Sequence, residues 1–429
     1  MVPQRHIFIA APIRYGVRDD LERLLATMNR AAGRADPDNA LLPFGQLAQV
    51  HVARFVILDD PSLPDRIALA PSLPVFEPTR LAFIADFDGE EADLLGAMVA
   101  IGEAGLRRIF AFCIDFHDGC DLSAWMRAHR VATVANYVNW VGRSTRQIGE
   151  EDRLHQALRV ARIAYPHASP EALWPILRDA GRAVTLTPIE PPGLAWRLAD
   201  IAHFMLVPLI VILSIAVIVW QPLTLIAIAL AVILLRWRET HDPVLAPVPD
   251  RARNRMLSAL EDHDITNQYG AIGSLKPGLF RRFLTIAILW LINWGARHLY
   301  RTGRLARVNT IHFASWTFLD DKRRVYFASN YDGSREAYND DFINKVAFGL
   351  NVSFSNGLGY PRSDWLIFGG ARREQDFKYY LFHHQIPTQV WYKAFPGLSN
   401  YDMARNARIR AGFERQPTGT ALRQWIAEI

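Results

Sequence analysis

Cysteine is nearly absent: Cys113 and Cys120 are the only two among 429 residues. That excludes a disulfide framework, agrees with a reducing compartment and leaves no Cys/His spacing for zinc. A serine nucleophile elbow is missing too, as are the Walker and Rossmann glycine patterns. The net charge of +5 is modest, and the arginines crowd beside one apolar stretch instead of interleaving with aromatic residues. That distribution argues against nucleic acid as a partner. Met1–Ile9 contains Arg5 and His6 and runs into polar sequence, so no secretory signal is expected there.

The most informative absence is charge between Phe204 and Leu235, where Ser214, Gln221 and Thr224 are the only polar side chains. A bilayer core needs about 20 apolar residues per helix, so one straight helix would overshoot. Gln221-Pro222 near the middle predicts a turn. The expectation is a transmembrane hairpin of two helices, each about 17 residues, with Trp220 and Trp237 at the interfaces. Arg197 precedes it, and Arg236, Arg238, Arg251, Arg253 and Arg255 follow it. The positive-inside tendency then places both flanks in the cytoplasm, with the hairpin in a bacterial-type inner (plasma) membrane.

What is present builds globular units on either side. Half the residues are hydrophobic and 21% are charged, enough for substantial cores. In the first unit, Arg5–Ile13, Gln49–Leu58, Arg80–Phe87 and Arg108–Phe116 have strand character, while Gly16–Asn29 and Glu90–Glu103 have helical periodicity. The order β-α-β-β-α-β is the ferredoxin-like arrangement. A helix at Leu122–His129, a strand at Val131–Val138 and a helix at Asp152–Ala164 follow. The expected division is 1–118 first unit, 119–184 extension, 185–198 linker, 199–238 hairpin, 239–262 basic linker and 263–429 second unit.

Beyond the hairpin the pattern recurs. QVHVARFVILDD (Gln49–Asp60) aligns with TIHFASWTFLDD (Thr310–Asp321), and RLAFIADFDGEEADLL (Arg80–Leu95) with RVYFASNYDGSREAYN (Arg324–Asn339). The expectation is an internal duplication. In the second copy Asn267–Leu275 is the opening strand, and the apolar run Phe283–Trp294, flanked by Arg281, Arg282, Arg297 and Arg301, takes the place of the first helix. A third span would put the two copies on opposite faces. An interfacial helix over 279–300, docked on the bilayer, is expected instead.

Two tandem ferredoxin-like units resemble the dimeric α+β barrel superfamily, which includes dye-decolourising peroxidases and chlorite-dismutase-like haem proteins. The resemblance implies an α+β fold of two βαββαβ units pairing as a pseudo-dimeric barrel, here with the hairpin between them. The peroxidases' Gly-x-x-Asp-Gly motif is represented by its Asp-Gly alone, at Asp88-Gly89 and Asp332-Gly333.

The candidate site residues concentrate in the second copy. His312, Asp332 and His384 are the catalytic candidates, and His312, His383 or His384 would be the ligand if the resemblance extended to haem. Each has a plainer role: a histidine packed in a sheet, an Asp332–Ser334 helix cap, a histidine at a helix C-terminus. Asn330, Tyr331, Asp332, Tyr360, Trp391 and Tyr392 are the ligand-binding candidates. Arg236, Arg238, Arg281 and Arg282 are expected to meet lipid phosphates. Partners would be membrane lipids and a hydrophobic small molecule. The functional expectation is a membrane-tethered protein binding an apolar or lipid-like ligand. A haem peroxidase-like oxidoreductase and a non-catalytic membrane scaffold are the alternatives.

Overall fold

Apolar runs with no polar alternation belong to strands covered on both faces, and such strands organise this molecule. The computed structural model describes residues 4–70, 78–245, 250–261, 264–301, 303, 305 and 307–429. In the first half, β1 (Gln4–Pro12), β2 (Val50–Leu58) and β3 (Arg80–Asp88) pair antiparallel, with β3 between the other two. All nine residues of β2 are buried. Helices α1 (Arg18–Ala26) and α2 (Glu91–Phe110) cover one face through Ile7, Ile9, Phe55, Phe83, Leu94 and Met98.

The chain continues through β4 (Thr133–Val138) and α3 (Thr145–Ala164) to two long apolar helices, α4 (Leu194–Trp220) and α5 (Thr224–His241). They are joined by a turn at 221–223, and their apolar side chains are almost all exposed. The second half comprises β5 (Thr266–Ser274), α6 (Leu279–His298), β6 (Ile311–Leu319), β7 (Arg324–Asp332), α7 (Arg335–Phe354), α8 (Glu374–His384), β8 (Val390–Lys393) and α9 (Asn400–Arg415).

Each half lends its last strand to the other. β8 pairs antiparallel with β2 in the first sheet, and β4 pairs antiparallel with β6 in the second. The two sheets then pack face to face, with Phe8, Val56, Ala82 and Ile84 of the first against Ile272, Leu319, Tyr326 and Ala328 of the second. Arg54 crosses this layer and donates to the Tyr269 carbonyl at 3.0 Å and to Asn330 Oδ1. The fold is therefore mixed α and β in separate sheets, with helices outside.

Three expectations are corrected. Arg108–Phe116 is not a strand: α2 runs on to Phe110 and ends in turns, with Arg107 and Arg108 in its last turn, where cations suit the helix dipole. The fourth strand of a ferredoxin-like sheet would lie beside β1, where this segment makes only the isolated bridge Ile13–Cys113, while β8 takes the opposite edge, beside β2. The basic linker 239–262 contains a helix, Arg251–Glu261. The sequence between β2 and β3 holds Pro61, Pro64, Pro71, Pro74 and Pro78, which predict a loop; Leu63–Leu69 is helical, and residues 71–77 lie outside the described residues.

The helices α4 and α6 are each long and apolar enough to cross a membrane. α6 nevertheless belongs to the α/β body, burying Arg281, Thr285, Leu289 and Ala296 while exposing Leu279, Phe283 and Leu291. Arg297 and Arg301 hold Asp200 of α4 at 3.1 and 2.8 Å, and Trp294 Nε1 donates to the Phe204 carbonyl. The long apolar pair is thus fastened to the second half.

Candidate functional site

His312 and Asp332 do come together, and so do their counterparts. A β-bulge sits at His312 between Ile311 and Phe313, and another at His51 between Val50 and Val52. Each bulge turns the imidazole toward the end of the next strand. His312 Nε2 donates to Asp332 Oδ1 at 2.7 Å, and His51 Nε2 to Asp88 Oδ1 at 2.9 Å. The second carboxylate oxygen accepts the first backbone N–H of a helix, Asn400 for Asp332 and Thr145 for Asp88, both at 2.7 Å. Thr266 Oγ1 also donates to Asp332 Oδ1.

Those helices follow the exchanged strands, so each Asp ties a strand end in one half to the element after the swapped strand. Asp332 caps α9 in this way, whereas α7 is capped by Ser334, whose Oγ accepts from Ala337. Saturated carboxylates and a cavity of only about 50 Å³ between the two histidines make this a structural joint.

The remaining candidates do not converge. His384 is fully enclosed, its Nδ1 donating to the Tyr380 carbonyl at 2.8 Å, and burial lowers its pKa so that it stays neutral. His383 pairs with Asp65. Asn330 is held by Arg54, and Tyr331 stacks on Tyr338 at 4.0 Å. Tyr360 donates to Asn351 Oδ1 at 2.8 Å. Trp391 packs under Arg54, and Tyr392 stacks on Phe44. Both also edge a separate polar groove containing Arg30, Arg34 and Lys393.

The arginine expectation is corrected at Arg281. Arg281 has no exposed surface; it bonds Asp242 at 2.6 and 2.9 Å and Asn356 at 3.0 Å, so it does not reach lipid phosphates. Arg236 pairs with Asp364, Arg238 with Asp242 and the Pro277 carbonyl, and Arg282 with the Asp321 carbonyl. These arginines lace the exit of the long helices onto the second half.

The prominent feature was absent from the sequence candidates: a cavity of about 360 Å³ between the second sheet and α6 and α7. Tyr137, Tyr269, Ala314, Trp316 and Phe327 form its floor, with Ile288, Ile292, Phe342, Val346 and Leu350 on the helices. Leu291 and Phe348, each about half exposed, stand at its rim. Burial pushes the Tyr137, Tyr269 and Tyr338 hydroxyls upward, so they remain neutral. Glycines of two helices border it. A Cβ on Gly295 would have no heavy atom within 4 Å, and one on Gly349 would meet only Val346 Cγ1 at 3.9 Å. Helical glycine costs about 1 kcal/mol relative to alanine, and no close packing here requires it.

The residues present do not fit a haem. His312 and His384 face cavities of about 50 Å³ each, far below the several hundred Å³ of a cofactor site. The large cavity has no histidine, cysteine or methionine among its described lining residues. Among the described residues no cluster of three His, Cys, Asp or Glu side chains is placed to hold a metal ion. Cys113 is a buried thiol pushed up to about 12 by burial, which leaves it unreactive. No protein-family model, curated protein or solved structure matches this chain.

Proposed function

We propose that this is a membrane-anchored protein that holds an apolar, lipid-like small molecule in the cavity between the second sheet and α6 and α7. The cavity itself carries the proposal. Its size lies in the range of small-molecule sites, its walls are apolar and aromatic, and its two glycines leave space without a packing reason. The location supports it. α6 forms one wall and is fastened to α4, whose apolar side chains are almost all exposed. A contiguous exposed apolar surface of this kind marks a membrane or partner contact. In this reading α4 and α5 form a hairpin in a bacterial-type inner membrane, and the basic flanks keep the α/β body cytoplasmic. A ligand leaving the bilayer would enter between Leu291 and Phe348.

We also infer that the two halves are duplicated ferredoxin-like units with exchanged final strands. The matching bulges, His–Asp pairs and helix N-terminal contacts support that descent.

The test is the apolar content of the full chain purified from membranes, measured by mass spectrometry beside a Gly295→Leu/Gly349→Leu variant. The reading expects near-stoichiometric apolar ligand in the parent protein and a folded variant without it. Equal content in both would leave the cavity without a binding role and favour the scaffold alternative.

A further inference from the structure

The first half says what the missing occupant resembles. At the level of Gly349 on α7 stands Gly105 on α2, each lying seventeen residues after its strand's terminal Asp. Both helices break helical geometry at the same level, at Gly102 (φ −136°) and Val346 (φ −142°). In the first half the space beside Gly105 is full. A Cβ there would lie 2.0 Å from the Leu41 carbonyl oxygen, and one on Gly102 would lie 2.8 Å from Leu42 Cδ1.

Leu41, Leu42 and Phe44 form a plug, all at most 4% exposed, with the Asn39 side chain bonding the main chain of Leu41 and Leu42. Phe44 stacks on Tyr392 at 5.0 Å and approaches Phe55 at 6.5 Å. The residues matching Gly105, Gly102, Tyr392 and Phe55 are Gly349, Val346, Tyr137 and Trp316. All four border the open cavity.

Two further differences concern polarity. Phe55 becomes Trp316 and Leu95 becomes Asn339. Trp316 Nε1 and Asn339 Nδ2 are buried donors with no hydrogen-bond partner in the structure, on residues 6% and 2% exposed that line the cavity. Such donors are costly unless something supplies an acceptor. No Lys, Arg or His is among the described lining residues, so a carboxylate or phosphate would be left without a counter-charge.

Resting on the ligand-binding reading above, we propose that the occupant is a neutral single-chain lipid with a flat, oxygen-bearing head, of the quinone type. The head lies where Phe44 lies in the first half, against Tyr137, and accepts from Trp316 and Asn339. The aliphatic tail passes Val346 and Gly349, in the place of Leu41 and Leu42.

Three probes with one decyl tail separate the elements of this claim: a decyl-substituted benzoquinone, decylbenzene and decanoate. Binding is measured on the full chain in detergent, together with the infrared carbonyl band of the bound quinone. Asn339→Leu and Trp316→Phe install residues of the first half's kind and retain packing. The expected order is quinone, then decylbenzene, then decanoate. Each substitution should weaken quinone roughly three- to tenfold, shift its carbonyl band toward the free value and leave decylbenzene unchanged. Equal binding of quinone and decylbenzene, unmoved by both substitutions, would overturn the donor assignment while sparing the apolar cavity. Tightest binding of decanoate would overturn neutrality. Binding of no probe by the parent protein, or equal binding of the probes by the parent protein and the Gly295→Leu/Gly349→Leu variant, would overturn the ligand reading itself.

Discussion

The two halves place equivalent strands, bulges and kinked helices around cores that end differently. In the first, the nine-residue α1 is followed by residues 27–49, which fold Leu41 and Leu42 against Gly102 and Gly105 and Phe44 onto Tyr392. In the second, α6 is twenty residues long and the link 299–310 to the next strand is about half the length. The space vacated by the plug remains open. A loop in one half and a cavity in the other therefore answer the same packing problem. The first half fills this space with its own chain, and the proposed ligand would fill it in the second.

The sharpest way to break this comparison is the matched glycine pair. Gly105→Ala drives a Cβ into the Leu41 carbonyl and should destabilise by about 3 kcal/mol or more. Gly349→Ala meets open space and should stabilise by roughly 0.5–1 kcal/mol. Thermal melts of both variants in detergent decide it; two losses of similar size would mean that both cores are equally filled.

Lys276 tests a second asymmetry. It is buried with Nζ donating to the Ser355 carbonyl at 2.9 Å, whereas Arg14 at the matching strand end is exposed. Burial, reinforced by Arg281, lowers the Lys276 ammonium to about 8 from an ordinary 10.5. The penalty of burying the charge is fully present below pH 8. It is relieved as pH rises toward 10.5, because the folded lysine releases its proton before the unfolded one. Stability should therefore gain up to about 3 kcal/mol across that window. Lys276→Met should abolish the gain relative to the parent protein, and a parallel pH dependence in both proteins would contradict the assignment.

The His–Asp joints sharpen what the halves share. Asp88→Ala and Asp332→Ala each remove the acceptor of a histidine and of a helix N–H, so each should cost about 2 kcal/mol in denaturant titrations. A large loss at Asp332 alone, or a loss of ligand binding without destabilisation, would restore His312–Asp332 as a functional pair.

Much of the frame was legible in the sequence. The uncharged stretch and Gln221-Pro222 located the α4–α5 turn, and the alignment of the two strand pairs matches their bulges and registers. Strand exchange was not legible, because pairing between β2 and β8 is set by contacts more than three hundred residues apart. The apolar run Arg108–Phe116 satisfies a buried strand and a helix end equally, and burial of Ile109 and Phe110 on α2 decided between them.

The site was harder to find. His312 and Asp332 attract attention because imidazole and carboxylate suggest chemistry, yet their partners are helix N–H groups and neighbouring strands. Tyr137, Phe327 and Phe342 spell an ordinary core, since an apolar wall has the same composition whether or not its space is filled. The usable signal lay inside the alignment, where Asn339 stands opposite Leu95 and Trp316 opposite Phe55.

The most direct measurement is an experimental density map of the chain crystallised from membrane extract without added lipid. The account predicts elongated density beside Tyr137, Trp316 and Gly349, with no counterpart at Gly105. Helices α6 and α7 closed onto the sheet, with Phe342 or Phe348 filling the space, would contradict it.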